Sequence, residues 1–225
     1  MIENLKKKVV VSVQAMPDEP LYREDALFAM MESVVNGGTE VLRVAGGRDV
    51  KNAKKLGVTV IGLTKPNGLP DNWKEIVYIT PTLKEVDELI EAGADIVAFD
   101  GTLRPRPNNC TVKEIVDHIH SCGRFAMADI ATLEEALYCA DLGVDIVSTT
   151  LSGYTMESLS DSDEPDYDLL QKIVSNTKVP VILEGRIWAP NQVKKAFELG
   201  AFAVVIGSAI TRPQLITKRF IDWEK

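Results

Sequence analysis

Short apolar runs rich in valine and isoleucine recur along the whole chain, and a polar or charged residue stands at the end of each. Val9–Val13 ends in Gln14, Val41-Leu42 runs into Arg43, and Val58–Leu63 runs to Thr64 and Lys65. Ile96–Phe99 ends in Asp100, Phe125–Ala128 in Asp129, and Ile146-Val147 in Ser148-Thr149-Thr150. Val181–Leu183 ends in Glu184-Gly185 and Ala203–Ile206 in Gly207-Ser208. Runs this free of polar interruptions are the mark of parallel strands covered on both faces.

Between them lie segments with helical periodicity: Glu24–Val35, Leu83–Glu91, Val112–His120, Leu133–Leu142, Tyr167–Ser175, Asn191–Leu199 and Gln214–Trp223. Strand–helix alternation kept up to the C-terminus predicts an α/β fold. About eight such units favour a closed (β/α)8 barrel, with a doubly wound open sheet as the rival. The 225 residues suit one barrel domain over 1–225, and no linker divides them. In a barrel the polar strand ends, scattered in sequence, meet at one mouth. Two irregular stretches follow strands and so belong over that mouth: Pro66–Trp73 and Leu151–Asp166. The acidic run Asp161-Ser162-Asp163-Glu164 in the second reads first as a solvated loop.

Bulk properties exclude several classes. The formal charge of −8 speaks against a nucleic acid binder, which needs a basic stripe, but not against a small phosphorylated ligand. The three cysteines, Cys110, Cys122 and Cys139, have no CxxC spacing and fit free thiols in a reducing compartment. Met1–Lys8 lacks a signal-peptide core, and no apolar run is long enough for a membrane span, so a cytoplasmic protein with no membrane partner is expected. His118 and His120 are two apart on a helix and no histidine ends a strand, so no metal site is expected. No GxGxxG motif proposes a dinucleotide.

Lys65 is the leading candidate for chemistry. A lysine just past an apolar strand can be desolvated, which makes it a usable base or an amine nucleophile; otherwise it is a surface lysine. Glu184 is a poor helix cap and is followed by Gly185, which favours a site role. Asp129 is either a site residue or a cap, although Thr132 is better placed to cap. Gln14 and Arg43 offer donors to substrate oxygens, or Arg43 forms an internal salt bridge with Glu184 or Asp129. Gly185-Arg186 and Gly207-Ser208 follow the last two strands, where barrels often hold a phosphate, and Arg212 lies close by.

Several segments together carry a resemblance: Val11–Leu21, Ala126–Thr132, Ser148–Thr155, Glu184–Ile187 and Gly207–Pro213. Over nearly its whole length the chain resembles the N-acetylmannosamine-6-phosphate 2-epimerase family. The resemblance implies a TIM barrel that interconverts N-acetylmannosamine 6-phosphate and N-acetylglucosamine 6-phosphate with no cofactor. It implies that Lys65 and Glu184 are catalytic, that Gln14, Arg43, Asp129 and Tyr154 bind the substrate, and that Gly185, Arg186, Gly207, Ser208 and Arg212 surround the phosphate. Where the family usually continues the lysine strand with Lys-Arg-Asp-Tyr, this chain reads Lys65-Pro66-Asn67-Gly68. A Schiff-base aldolase or lyase using Lys65 is the alternative enzyme, and a non-catalytic sugar-phosphate sensor the alternative from another class. The apolar residues Leu215, Ile216, Phe220, Ile221 and Trp223 of the final helix are expected either to pack on the barrel or to form a homodimer.

Overall fold

A computed structural model describes residues 2–223. Eight parallel strands close into a barrel in sequence order: β1 (Val9–Val13), β2 (Val41–Ala45), β3 (Thr59–Leu63), β4 (Ile96–Asp100), β5 (Phe125–Asp129), β6 (Ile146–Ser148), β7 (Val181–Glu184) and β8 (Ala203–Ile206), with β8 returning to β1. The closed barrel, not the open sheet, is therefore the architecture. Around it run α1 (Glu24–Asn36), α2 (Gly47–Lys54), α3 (Leu83–Glu91), α4 (Val112–Ser121), α5 (Leu133–Asp141), α6 (Tyr167–Asn176), α7 (Pro190–Glu198), the short α8 (Ser208–Thr211) and α9 (Pro213–Ile221).

Strand side chains alternate between two faces, and the alternation divides the core in two. Val10, Val41, Ile61, Ile96, Ala98, Met127, Ile146, Ile182, Ala203 and Val205 fill the barrel interior. Their neighbours Val11, Leu42, Val60, Val97, Ala126, Val147, Leu183 and Val204 pack outward against the helices. Truncating a fully buried residue such as Ile61 to Ala is expected to cost about 2–5 kcal/mol. Gly62 faces outward in β3. A Cβ there would come within 3.0 Å of Val50 and Ala94, so its absence lets α2 and α3 approach the sheet.

Two expectations need correction. The segment after β2 forms α2, a helix absent from the periodic segments above; it is short and mostly polar, and it anchors through Val50 and Ala53. Arg43 does not end its strand. It sits in the middle of β2, beside Ser12 of β1 and Ile61 of β3. Thr132 rather than Asp129 caps a helix, accepting from the Glu135 backbone N–H at 3.3 Å. On α9, Leu215 and Ile216 are half-buried while Phe220 and Ile221, and Trp223 just beyond the helix, are exposed. Among the described residues no helix is long and apolar enough to cross a membrane.

Candidate active site

The interior alternation continues past the strand ends and decides which polar groups meet. Counting in twos from the inward apolar layer reaches Ser12 and Gln14, Arg43, Lys65, Asp100, Asp129, Ser148 and Thr150, Glu184 and Gly207. All lie toward the carboxyl ends of the strands, the end at which barrel loops build active sites. A cavity of about 950 Å³ opens there, lined by Gln14, Lys65, Tyr154, Glu184, Gly185, Arg186, Gly207, Ser208 and Arg212 among others.

Beneath this cavity lies a buried ion cluster. The Arg43 Nη2 donates to Asp129 Oδ2 at 2.6 Å, and the side chains are 1% and 0% exposed. The Arg43 Nε is 3.5 Å from Glu184 Oε2. Arg43 and Asp129 are thus sealed below the floor, in the internal pairing that the sequence left open, while Glu184 rises from them to the cavity surface. Thr150 bridges the two carboxyls: its Oγ1 is 2.7 Å from Asp129 Oδ1 and 2.9 Å from Glu184 Oε2. Ser148 Oγ lies 2.9 Å from the same hydroxyl.

Lys65 stands two residues beyond the end of β3. It is open to solvent through the mouth, and protein walls surround it. Among the described residues no hydrogen bond or ion pair holds its Nζ. Burial, and next the Arg43 charge, lower its amine below the ordinary lysine range, against the pull of Glu184 and Asp129. Burial raises the Glu184 carboxyl; Arg43 opposes, Asp129 pushes with burial, and the Thr150 hydroxyl and Lys65 oppose more weakly. An amine shifted down and a carboxyl shifted up, facing one cavity from β3 and β7 across the barrel, suit acid–base chemistry.

Directly after Glu184, Gly185 (φ +108°) and Arg186 (φ +58°) make a left-handed turn at the end of β7. The Arg186 guanidinium donates from Nε to the Glu164 carbonyl at 2.7 Å and from Nη1 to the Ser152 carbonyl at 2.9 Å. Two of its donors therefore hold the acidic loop after β6 against the barrel. Arg212 is paired with Glu19, and Gln14 donates to Ser12 Oγ at 2.8 Å. Tyr154 is 39% exposed, and its ring lies 5.8 Å from the Arg186 guanidinium carbon. The loop after Lys65 supplies Pro66, Asn67, Leu69 and Trp73 to the wall, and Arg104 fastens it by donating to the Lys74 carbonyl at 3.0 Å. Arg104 is itself paired with the buried Asp100 at 2.7 Å.

Sequence reasoning missed Thr150, Ser148 and Tyr78. Parity along β6 was the available signal for the first two, since it turns Ser148 and Thr150 inward and Thr149 out. Tyr78, pushed up to about 12 by burial and then by Asp100, had none, because it reaches the cavity from an irregular loop. His118 and His120 bond to Asp87 and Asp145 on the outer ring, at 2.6 and 2.8 Å.

The fold and its mouth define a barrel protein equipped for acid–base chemistry on a small polar ligand. Comparisons with known proteins narrow this. Residues 27–225 match the family model described as "Putative N-acetylmannosamine-6-phosphate epimerase". A relative from Clostridium perfringens described as a "Putative N-acetylmannosamine-6-phosphate 2-epimerase" is 46% identical over 223 residues, covering 99% of both chains. One of the same description from Clostridioides difficile is 42% identical over 222 residues, covering 98% of this chain and 97% of the relative. The solved N-acetylmannosamine-6-phosphate 2-epimerase from C. perfringens superposes with a TM-score of 0.93 at 46% identity, over 99% of this chain and 96% of that one. The chain belongs to the N-acetylmannosamine-6-phosphate 2-epimerase family. A 3-hexulose-6-phosphate synthase from Salmonella typhimurium, at 16% identity and a TM-score of 0.65 over 96% and 99% of the two chains, shares the fold alone.

Proposed function

We infer that this protein interconverts N-acetylmannosamine 6-phosphate and N-acetylglucosamine 6-phosphate by removing and returning the proton on C2. Family membership along the whole chain supports the substrate pair. The observation that carries the chemistry is that the Lys65 amine, with no hydrogen-bond partner among the described residues, and Glu184 face one cavity from opposite sides of the barrel, beyond β3 and at the end of β7.

In the open-chain sugar, C2 lies next to the C1 aldehyde. The C2–H bond breaks, its proton passes to the neutral Lys65 Nζ, and its electron pair moves into an enolate whose negative charge rests on the aldehyde oxygen. C2 is then planar. Rotation of the enolate presents its other face to the Lys65 ammonium, which returns a proton to C2 and recovers the neutral amine, so the C2–H bond is rebuilt with inverted configuration and no oxidant or reductant enters. The weak acidity of that proton demands electrostatic support for the enolate oxygen. Glu184 and Gln14 face the cavity and are assigned that support and the sugar hydroxyls. Arg43 and Asp129 act from below the floor, Arg43 by favouring the neutral amine and Asp129 by fixing Arg43 and Thr150. Tyr154 closes over the sugar. The turns at Gly185-Arg186 and Gly207-Ser208, with Arg212, are assigned the phosphate, which anchors the substrate so that remote binding energy positions C2.

The test is deuterium incorporation at C2 during turnover in heavy water by wild type and Lys65→Met. Loss of both labelling and turnover in the variant is expected. Labelling retained by Lys65→Met removes that lysine as the base.

A further inference from the structure

Thr150 occupies an inward position just beyond β6 and touches three oxygens: Asp129 Oδ1 at 2.7 Å, Glu184 Oε2 at 2.9 Å and Ser148 Oγ at 2.9 Å. A threonine hydroxyl has one hydrogen and two lone pairs, so three contacts fill it, one as donor and two as acceptor. Asp129 Oδ2 accepts from the buried Arg43 guanidinium at 2.6 Å, so this carboxyl is engaged as an acceptor on one oxygen and takes the shorter Thr150 contact on the other. The single Thr150 hydrogen therefore goes to Asp129. Ser148 and Glu184 then face lone pairs, and both must donate. Ser148 does so by rotating its hydroxyl. Glu184 does so only with a proton on Oε2; an ionised Glu184 would instead take the Thr150 hydrogen, which would lower the carboxyl and leave the 2.7 Å contact with Asp129 Oδ1 without a hydrogen.

A second observation agrees. The Arg43 Nε is buried without a hydrogen-bond partner, although Glu184 Oε2 is 3.5 Å away. A guanidinium facing an ionised carboxylate closes to about 2.7–2.9 Å. The charged and polar groups around Glu184 are Arg43 from β2, Lys65 beyond β3, Asp129 from β5, and Ser148 and Thr150 from β6; its partner on β8 is Val205. With Glu184 protonated and Lys65 neutral, Arg43 and Asp129 cancel and the cluster is uncharged. The proton that Lys65 must lose to become a base is then held by Glu184.

We propose that Thr150 is a positioning residue that accepts the Glu184 proton in a hydrogen bond and so holds Glu184 as the acid partner of the Lys65 amine. This rests on the epimerase reading above for its kinetic consequence but not for its structural one.

Two variants test it in the full-length protein. Thr150→Val keeps the shape and removes the hydroxyl; Thr150→Ser keeps the hydroxyl. With N-acetylmannosamine 6-phosphate, Thr150→Val is expected to lower kcat about 10- to 100-fold with KM within about twofold, and Thr150→Ser to restore kcat. Independently of turnover, carbon-13 NMR of labelled glutamate carboxyls follows Glu184, identified by the signal lost in Glu184→Gln. Glu184 is expected to titrate above the ordinary glutamate range in wild type and at lower pH in Thr150→Val. A Glu184 titration that is unmoved or moved upward in Thr150→Val overturns the proposal. So does a variant that raises KM alone, which would make Thr150 a substrate ligand. A wild type that turns over no substrate ends the epimerase reading, while the carboxyl titration still decides the role of Thr150.

Discussion

Arg43 and Asp129 meet at 2.6 Å in the middle of the barrel, both buried, with Glu184 3.5 Å from the same guanidinium. The pair joins β2 to β5 across the interior and forms the base on which the cavity groups stand. Removing either partner strands a buried charge, which costs about 3–5 kcal/mol. Asp129→Asn and Arg43→Met are each expected to lower the unfolding free energy, read from urea titration, by that amount. The double variant, Arg43→Met with Asp129→Asn, is expected to be less destabilised than the sum of the two. Additive losses in a double-mutant cycle would show that the two charges do not stabilise one another.

The shifted amine and carboxyl make folding stability depend on pH in opposite senses. Lys65 is lowered in the folded protein, so between its folded value and the unfolded value of about 10.4 the unfolded chain binds more protons. Its contribution is present above that window and lost as pH falls. Glu184 is raised, so its contribution is present below the unfolded value of about 4.3 and lost as pH rises through the folded value. Urea unfolding across pH is expected to lose the first slope in Lys65→Met and the second in Glu184→Gln. The limbs of the activity profile belong to the coupled pair rather than to either residue.

Gly153 has φ +87°, and a Cβ there would lie 2.4 Å from Arg186 Nη1. Gly153→Ala is therefore expected to cost about 1–3 kcal/mol in strain and to push Arg186 off the Ser152 carbonyl. Since Arg186 ties the loop after β6 to the cavity wall, KM is expected to rise more than kcat falls. A variant with unchanged KM would separate that loop from ligand binding.

A neutral lysine amine also suits imine formation with a carbonyl substrate. Proton transfer without a covalent intermediate predicts that borohydride in the presence of N-acetylmannosamine 6-phosphate leaves the protein mass unchanged. A reduced adduct on Lys65 would favour the aldolase chemistry.

The barrel was legible in the sequence because its strands are buried on both faces, which left unbroken valine and isoleucine runs such as Val9–Val13 and Phe125–Asp129. Helix α2 was hidden by its short length and by its run of polar residues, of which Asp49 and Asn52 are buried and so break the apolar stripe a helix normally shows. Lys65 and Glu184 could be picked out because each follows an apolar run and faces inward. Arg43 was misplaced by position, since a charge inside a strand looks like its end. The commitments of Arg186 to the Ser152 and Glu164 carbonyls and of Arg212 to Glu19 arise from loops brought together only by the closed barrel. Local pattern holds no record of such pairings. Thr150 was passed over because the polar triplet at the end of β6 conceals which of its members turns inward.

The most direct measurement is proton NMR of N-acetylmannosamine 6-phosphate with the protein in heavy water, because it reports epimerisation and C2 labelling together. Wild type is expected to form N-acetylglucosamine 6-phosphate carrying deuterium at C2, and Lys65→Met to do neither. Epimerisation by wild type with the original C2 hydrogen fully retained, or deuterium uptake that survives loss of the Lys65 amine, would contradict proton transfer through this residue.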